Sequence, residues 1–242
     1  MATNTKSALN EVMDYLESKG NANTVKIYEK HGATNGPMFG VRVGDLKPLQ
    51  KKYKNNNDLA KALFATNNSD AMYLAALICE PKILEKETLE KWIAQAWWYM
   101  LSEYAVAWVV SDSRFALELI AKYMDDEDEK KSSCAWSALT SYISITPNED
   151  IDMDLIKRYL AKAEKEVHSS KNRVRHTINH FIIAVGSYIP ELNALALEIA
   201  NRVGKVEVFM GDTACKVPYA PDYIAKVMAM GRLGKKRKTA RC

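Results

Sequence analysis

The chain has 242 residues, of which 48% are hydrophobic and 26% are charged, and its formal net charge is +4. This balance excludes wholesale disorder, and the length suffices for one sizeable domain or an extended array with a continuous core. No apolar stretch reaches the roughly 18–20 residues of a membrane helix, and the polar segment 1–7 lacks the apolar core of a secretory signal. We therefore expect a cytoplasmic protein without a membrane partner, nucleoid-associated in a bacterium or nuclear in a eukaryote.

Apolar residues recur at helical spacing along most of the chain, and glycine and proline separate the periodic segments. The predicted helices cover residues 7–19, 24–30, 46–53, 57–65, 70–79, 88–110 (as two helices), a segment beginning at 113, 130–145, 152–168, 172–188 and 192–203. Ser113 is the predicted N-cap of its helix. Residues 33–40 are predicted to form a loop, and only 206–209 resembles a strand.

Three stretches, 58–79, 114–145 and 151–188, each look like a helix pair of similar length, although no exact repeat is visible. Imperfect helix pairs are typical of an α-solenoid, in which each unit buries its apolar face against its neighbours. A compact helical bundle is the alternative, and periodicity alone does not separate the two. The fold class is in either case all-α.

Positive charge is concentrated at the end of the chain. Residues 205–242 carry nine Lys or Arg and three Asp or Glu, a balance of +6, so that 1–204 sum to −2. We therefore divide the chain into a helical repeat domain, 1–204, and a basic C-terminal extension, 205–242. The consecutive cations Lys235, Lys236, Arg237 and Lys238 favour a contact with nucleic-acid backbone, although an import signal or a solvated tail is also compatible.

Four of the five tryptophans lie within 17 residues, between 92 and 108. Trp97 and Trp98 would point about 100° apart on a helix, so one of them is predicted to line a groove and stack on a base or sugar. Ser102 and Glu103 lie one turn beyond Trp98 and Tyr99. A carboxylate beside an aromatic wall can stabilise a developing cation; the alternative is a solvated residue at a helix end.

A second cluster lies at the start of the 172–188 helix. Its cations are Lys171, Arg173 and Arg175. Cations there oppose the helix dipole, so helix stability does not explain them. Together with free backbone amides behind a serine cap at 169 or 170, they suit a phosphate. His176 and His180 lie one turn apart, but without an evident third ligand we expect no metal.

The four cysteines are Cys79, Cys134, Cys215 and Cys242. None belongs to a C-x-x-C pair. We therefore expect free thiols, with neither a zinc site nor a disulfide framework.

Three segments carry a family resemblance through their shared order: Phe39-Gly-Val-Arg-Val-Gly-Asp-Leu46, Trp97-Trp98, and His168-Ser-Ser-Lys171 before an apolar helix. Over about 200 residues the chain resembles the AlkD-like DNA alkylation repair family. The resemblance implies a curved HEAT/ARM-like solenoid of antiparallel helix pairs with a basic concave face. It also implies excision of N3- or N7-alkylated purines from double-stranded DNA by a monomer, without base flipping, metal or organic cofactor.

The resemblance carries over unevenly to individual residues. It implies that Trp98 contacts the nucleotide, whereas Ser102 stands where the family has a catalytic Asp, with Glu103 adjacent. The supporting Arg is expected within 132–135, where Cys134 is the nearest match. The family's second tryptophan falls near His180 or Phe181, which makes His180 a DNA-contacting candidate.

Three functions therefore remain open. A DNA glycosylase would use Trp98, Glu103 and Ser102 for catalysis. A non-catalytic module would bind bent or branched DNA through Trp97, His180 and the basic clusters. A protein-binding scaffold, a common use of solenoids, would have no affinity for DNA at low salt.

Overall fold

The computed structural model describes residues 2–241, without the side chains of residues 2 and 3. Within that range there are thirteen α-helices and one π-helical segment, Met100–Val106, which continues directly into α7. The α-helices are α1 (Ala2–Ser18), α2 (Ala22–Lys30), α3 (Lys47–Lys52), α4 (Asn57–Phe64), α5 (Ser69–Ile78), α6 (Lys86–Gln95), α7 (Ala107–Ser111), α8 (Ala116–Tyr123), α9 (Glu129–Ile145), α10 (Met153–Glu166), α11 (Asn172–Tyr188), α12 (Asn193–Val203) and α13 (Ala220–Ala229).

The helices form two rows, as expected for a solenoid. In the inner row α5, the π-helical segment, α9 and α11 pack one on the next, whereas α4, α6, α8, α10 and α12 form the outer row. All ten residues of α5 are buried, and so are twelve of α11. Because the inner helices are covered on most sides, their sequences are apolar around much of the circumference.

Ion pairs tie the outer row together on its exposed side. Glu90 of α6 accepts from Lys122 of α8 at 2.6 Å, and Lys86 pairs with Glu118 between the same helices. Arg202 of α12 binds Glu164 of α10 in the same way. Such exposed pairs contribute little each, so the apolar inner row provides most of the stability.

The loop at 33–41 closes over the first residues of α5. The backbone amides of Phe39, Gly40 and Val41 all donate to the carboxylate of Asp70, at 2.7, 3.1 and 3.0 Å. Burial raises the pKa of Asp70, although these backbone hydrogen bonds oppose the change. Part of the Phe39–Leu46 motif therefore wraps a buried carboxylate, and its role in this chain is structural.

The C-terminal extension packs along the whole array. Helix α13 lies against α11 and α12, and Gly186 leaves the space that Ile224 fills. Before α13, the Asp212 amide donates to the carbonyl of Lys30 at the end of α2. After α13, the chain passes the C-terminal ends of α11, α9 and α5 in turn, through contacts described below.

Several local expectations need correction. The strand expected at 206–209 is extended but has no β partner among residues 2–241; instead the Asn172 side chain bonds both the N–H and the C=O of Phe209. Ser113 does not cap α8, because α8 begins at Ala116 and its N-cap position is Phe115. The Ser113 hydroxyl instead donates to the Val110 carbonyl and accepts from the Phe115 amide in the turn before the helix. The hydroxyls at 169 and 170 likewise turn back to Glu166 and do not cap α11.

Within residues 2–241, no single helix is long and apolar enough to cross a membrane; only the bent pair Asn172–Tyr188 and Pro190–Val203, with an angle of 114°, meets the length and composition of a span. Cys79, Cys134 and Cys215 are free thiols, and Cys242 lies outside the described residues.

Candidate nucleic-acid interface

An aromatic cavity of about 310 Å³ opens beside the π-helical segment. Its walls include the three predicted catalytic residues, Trp98, Ser102 and Glu103, together with Trp97, Tyr99 and the predicted phosphate-binding residue Arg173. A π-helical turn is rare and is frequently found at functional sites. Here it accommodates Ser102 and Glu103 side by side on the wall of one cavity.

The two tryptophans do not diverge as a helix would require. Trp97 and Trp98 lie in the connection after α6, and their rings stack with centroids 6.0 Å apart and planes at 27°. Trp98 is 5% exposed and its Nε1 donates to Ser69 Oγ at 2.8 Å. Trp97 is partly buried against Gly36, so neither ring stands free in the cavity.

Glu103 is held by Arg173 of α11. The Nε and Nη2 groups of Arg173 donate to the two carboxylate oxygens of Glu103, at 2.8 and 2.5 Å, and the guanidinium lies 4.2 Å from the centre of the Tyr99 ring. The Glu103 side chain is only 2% exposed. Ser102 is fully buried, with its hydroxyl directed at the Trp98 carbonyl.

The pKa of Glu103 is lowered despite its burial. Burial raises this pKa, but the two hydrogen bonds from Arg173, together with the nearby His176 side chain, outweigh burial, and the carboxylate is ionised at neutral pH. The arginine that the family resemblance implies within 132–135 is absent from this sequence, and the guanidinium that binds Glu103 comes from α11. Cys134, the nearest match there, is buried and its pKa is raised, which leaves it an inert thiol.

The three cations at the start of α11 do not converge on one phosphate. Lys171 donates to the Glu127 carbonyl, Arg173 enters the aromatic cavity, and Arg175 lies with the extension residues 205–217. The Arg173 backbone amide already donates to Glu129 Oε1 at 2.7 Å. A carboxylate of the chain thus occupies the helix N-terminus where we expected a phosphate.

An intermediate cavity of about 160 Å³ runs from Glu103 to His180. The rings of His176 and His180 lie 4.3 Å apart, and His176 Nδ1 is 3.7 Å from Glu103 Oε2. Burial lowers the pKa of His180 to about 3, so this imidazole is neutral. Its Nε2 atom is buried and has no hydrogen-bond partner within the described chain.

Beyond His180 lies a larger space, the histidine cavity, of about 410 Å³. The extension forms one wall of it and brings three predicted DNA-binding cations, Lys235, Lys236 and Arg237, next to His180. The Lys236 ammonium donates to the Ile143 carbonyl at 2.7 Å, and the Arg237 amide donates to the Ser144 carbonyl at 2.8 Å. These bonds dock the extension on the end of α9.

Lys238, the last of the four consecutive cations, lines a different depression, the lysine groove, of about 840 Å³. Its cationic lining residues are Lys47, Lys51, Lys54, Lys82, Lys238 and Arg241. Arg241 is anchored to the Cys79 carbonyl at 2.7 Å, whereas the five lysines are exposed and form no ion pair within residues 2–241. The carboxylates of the groove are Glu80 and Asp112.

Sequence reasoning missed the partner of Glu103 and every groove lysine except Lys238. Lys47, Lys51 and Lys54 fall within eight residues, with the first two one helical turn apart, so that signal was available in the sequence. The Glu103–Arg173 pair spans 70 residues, and no local pattern indicates it.

Comparison with known proteins agrees with this architecture. The family model described as "DNA alkylation repair enzyme" matches residues 12–220. The uncharacterized proteins Lin0241 of Listeria innocua and Lmo0209 of Listeria monocytogenes are each 34% identical over 216 residues, which cover 87% of this chain and 93% of each relative.

A solved structure is also similar. It is described as "a new family of proteins related to the HEAT-like repeat DNA glycosylases with affinity for branched DNA structures". Its TM-score with this chain is 0.89 at 37% identity, covering 97% of this chain and 99% of that one. The all-α prediction and the HEAT-like solenoid are thereby confirmed. The chain belongs to the DNA alkylation repair enzyme family.

Proposed function

We propose that this chain binds DNA through its phosphates, prefers branched over linear duplexes, and does not hydrolyse the N-glycosidic bond. The observation that carries the proposal is the lysine groove, where five exposed lysines lie together without an ion-pair partner in the described chain. The branch preference is supported by the solved relative, described as having affinity for branched DNA structures.

The groove has the chemistry that a phosphate backbone requires. Lysine is a compact charge on a flexible stem, and it binds phosphates without reading the base sequence. Lys47, Lys51 and Lys54 come from α3 and the turn after it, while Lys238 approaches from the extension. Cations from two parts of the chain can contact two strands that diverge at a branch.

The state of Glu103 argues against excision. Both carboxylate oxygens already accept hydrogen bonds from Arg173, and 2% of the side chain is exposed. A carboxylate that stabilises a nucleotide cation must face the space where that cation forms. We infer that the Glu103–Arg173 pair is structural.

Excision is the second candidate, favoured by one observation. An ionised Glu103 lines the same cavity as Trp97, Trp98 and Tyr99, beside a guanidinium that could orient it. Released base is measured after incubating stoichiometric protein with N7-methylguanine duplex DNA. We expect no release above buffer. Release that disappears in Glu103→Gln, with DNA affinity retained, would establish a glycosylase and reject the non-catalytic assignment.

DNA binding is tested with two triple variants of equal charge change. One replaces Lys47, Lys51 and Lys54 with Gln. The control replaces exposed lysines on α2, α6 and α10 that form no ion pair within residues 2–241: Lys26, Lys91 and Lys165. Affinity for a four-way junction and for a linear duplex is measured by fluorescence anisotropy at several salt concentrations.

We expect the groove variant to weaken junction binding and to reduce the slope of log affinity against log salt by about 3, since each phosphate-contacting lysine contributes about 1. The control is expected to keep the wild-type slope. Equal behaviour of the two variants would place the DNA elsewhere on the molecule. No DNA affinity at low salt would favour the protein-binding scaffold instead.

A further inference from the structure

The histidine cavity is not used by the phosphate contacts proposed for the lysine groove. It lies between α9, α11, α13 and the final segment of the extension. Its volume of about 410 Å³ is in the range of sites that enclose a small ligand. A duplex is far too large to enter it, so its occupant is a small molecule or one displaced unit of a polymer.

All the charged side chains that line this cavity are cationic. Its cations are Arg232, Lys235, Lys236 and Arg237, and its lining residues include neither Asp nor Glu. None of these four cations forms an ion pair within the described chain. Burial lowers the pKa of Lys236 to about 8, which still leaves that ammonium largely protonated at neutral pH. The cavity therefore selects an anion.

The inner end of the cavity offers a hydrogen bond that the chain leaves unused. His180 lies where the histidine cavity meets the intermediate cavity, and its buried Nε2 atom has no partner among the described residues. Buried polar atoms in native proteins are normally hydrogen-bonded. This atom is therefore available to a ligand group that reaches this depth.

The remaining walls suit a flat ring. Tyr188 is partly buried and Tyr223 is 49% exposed, and Ile183, Ala184 and Val227 add apolar surface. Aromatic side chains stack on nucleobases irrespective of base identity. A ligand that fits these walls has an anionic group, a flat ring that stacks on the tyrosines, and a polar ring edge. A nucleotide has all three features.

We propose that the histidine cavity binds a single nucleotide bearing a terminal phosphate, with the phosphate among the four cations, the base against Tyr188 and Tyr223, and a polar base edge at His180 Nε2. The same chemistry occurs in a free mononucleotide and in an unpaired nucleotide at a DNA strand end. Binding of an unpaired DNA nucleotide rests on the proposed DNA binding. In that case the cavity would recognise DNA ends or branches.

The experiment uses the full chain and two kinds of ligand. Calorimetry compares deoxyadenosine monophosphate with deoxyadenosine, which lacks the phosphate. Anisotropy compares a blunt duplex with the same duplex carrying an unpaired nucleotide that ends in phosphate or in hydroxyl. Tyr223→Ala tests the stacking wall, and Tyr219→Ala is its matched control, because Tyr219 is 43% exposed on the same segment but does not line the cavity.

We expect the phosphorylated overhang to bind about tenfold more tightly than the blunt duplex and the hydroxyl overhang to lose most of that gain. Tyr223→Ala and Arg232→Gln should abolish the preference, whereas Tyr219→Ala should retain it. Deoxyadenosine monophosphate binding that depends on Tyr223, without any overhang preference, would support the cavity and assign it to free nucleotides.

The proposal is overturned if neither ligand shows a phosphate-dependent and Tyr223-dependent gain. Its failure is distinguishable from failure of the proposed function. Junction binding that still depends on Lys47, Lys51 and Lys54 would leave DNA binding intact and reject only the nucleotide site. Loss of all DNA binding would leave the calorimetric arm as an independent test of the cavity.

Discussion

Arg173 and Glu103 form a bidentate ion pair that joins α11 to the π-helical segment, with the Arg173 Nε atom 2.8 Å from Glu103 Oε1. The pair closes the inner wall of the aromatic cavity. It also provides the hydrogen-bond partner of Glu103, the one acidic residue of the π-helical segment. The packing of α11 on this segment and the shape of the cavity wall therefore depend on the same ion pair.

Removing one partner of this pair should destabilise the fold. We expect Arg173→Met to cost about 3–5 kcal/mol in the free energy of unfolding, because it leaves Glu103 buried without its bidentate guanidinium partner. The double variant with Glu103→Gln should lose less than the sum of the single changes. Urea unfolding measures all three.

The exposed pair between Arg202 and Glu164 provides the control. Arg202→Met is expected to lose far less stability, because exposed pairs are weak. An Arg173→Met loss as small as that of Arg202→Met would contradict a structural role for the pair and reopen a catalytic one for Glu103.

Helices with regular local patterns could be predicted from the sequence, whereas contacts between distant residues, such as Arg173 and Glu103, could not. Helix α11 was predicted to its observed ends, because its apolar spacing is regular and Pro190 follows it. Helix α13 was not predicted, although Pro221 in its first turn was a usable signal. The Arg173–Glu103 pair and the docking of 231–241 depend on tertiary packing, which local patterns do not encode.

The tryptophan pair illustrates the same limit. The predicted divergence of Trp97 and Trp98 assumed a continuous helix, whereas α6 ends at Gln95 and the chain enters the π-helical segment only at Met100. Side-chain direction follows local backbone geometry, so one break in the helix makes the predicted divergence wrong, although both rings line the aromatic cavity. The predicted residues of this segment, Trp97, Trp98, Ser102 and Glu103, nonetheless line the same cavity.

Protonation of His180 should make stability depend on pH in the mildly acidic range. Its pKa falls from 6.5 to about 3 on folding, through burial and the charges of His176 and Arg173, which outweigh the opposing effect of Glu103. The unfolded chain therefore binds a proton below pH 6.5 that the native state does not. Between pH 7 and pH 5 this should reduce stability by about 2 kcal/mol.

Denaturant unfolding at pH 7 and pH 5 tests this dependence. His180→Gln should have a flatter response than wild type across that interval. Parallel slopes for wild type and His180→Gln would show that the native imidazole titrates normally.

The contact between the extension and α2 should depend on Gly211. Gly211 has φ +77, and a Cβ atom there would collide with the Lys30 carbonyl oxygen, next to the bond from the Asp212 amide. Gly211→Ala should therefore release this contact and accelerate hydrogen exchange at the Asp212 amide about tenfold. Gly231→Ala is the control, because Gly231 also has positive φ but an added Cβ would meet no atom within 4 Å. Unchanged Asp212 exchange in Gly211→Ala would show that the contact does not persist in solution.

Two cations near the end of the extension are expected to have different roles. Arg241 should contribute to stability, and Lys238 should contribute to DNA binding. Arg241 donates to the carbonyls of Ala76, Leu77 and Cys79 at the C-terminal end of α5, where a cation also complements the helix dipole. Arg241→Gln is therefore expected to lower the free energy of unfolding by about 1.5–3 kcal/mol. Lys238 is exposed and forms no ion pair within residues 2–241.

Lys238→Gln should accordingly leave stability within about 0.5 kcal/mol of wild type and reduce the salt slope of DNA binding by about 1. Urea unfolding and anisotropy on the same two preparations give both quantities. A Lys238→Gln variant that loses stability without any change in salt slope would make the extension a clamp on the helix ends only. The lysine groove would then lose the one lysine that the extension brings to the proposed DNA contact.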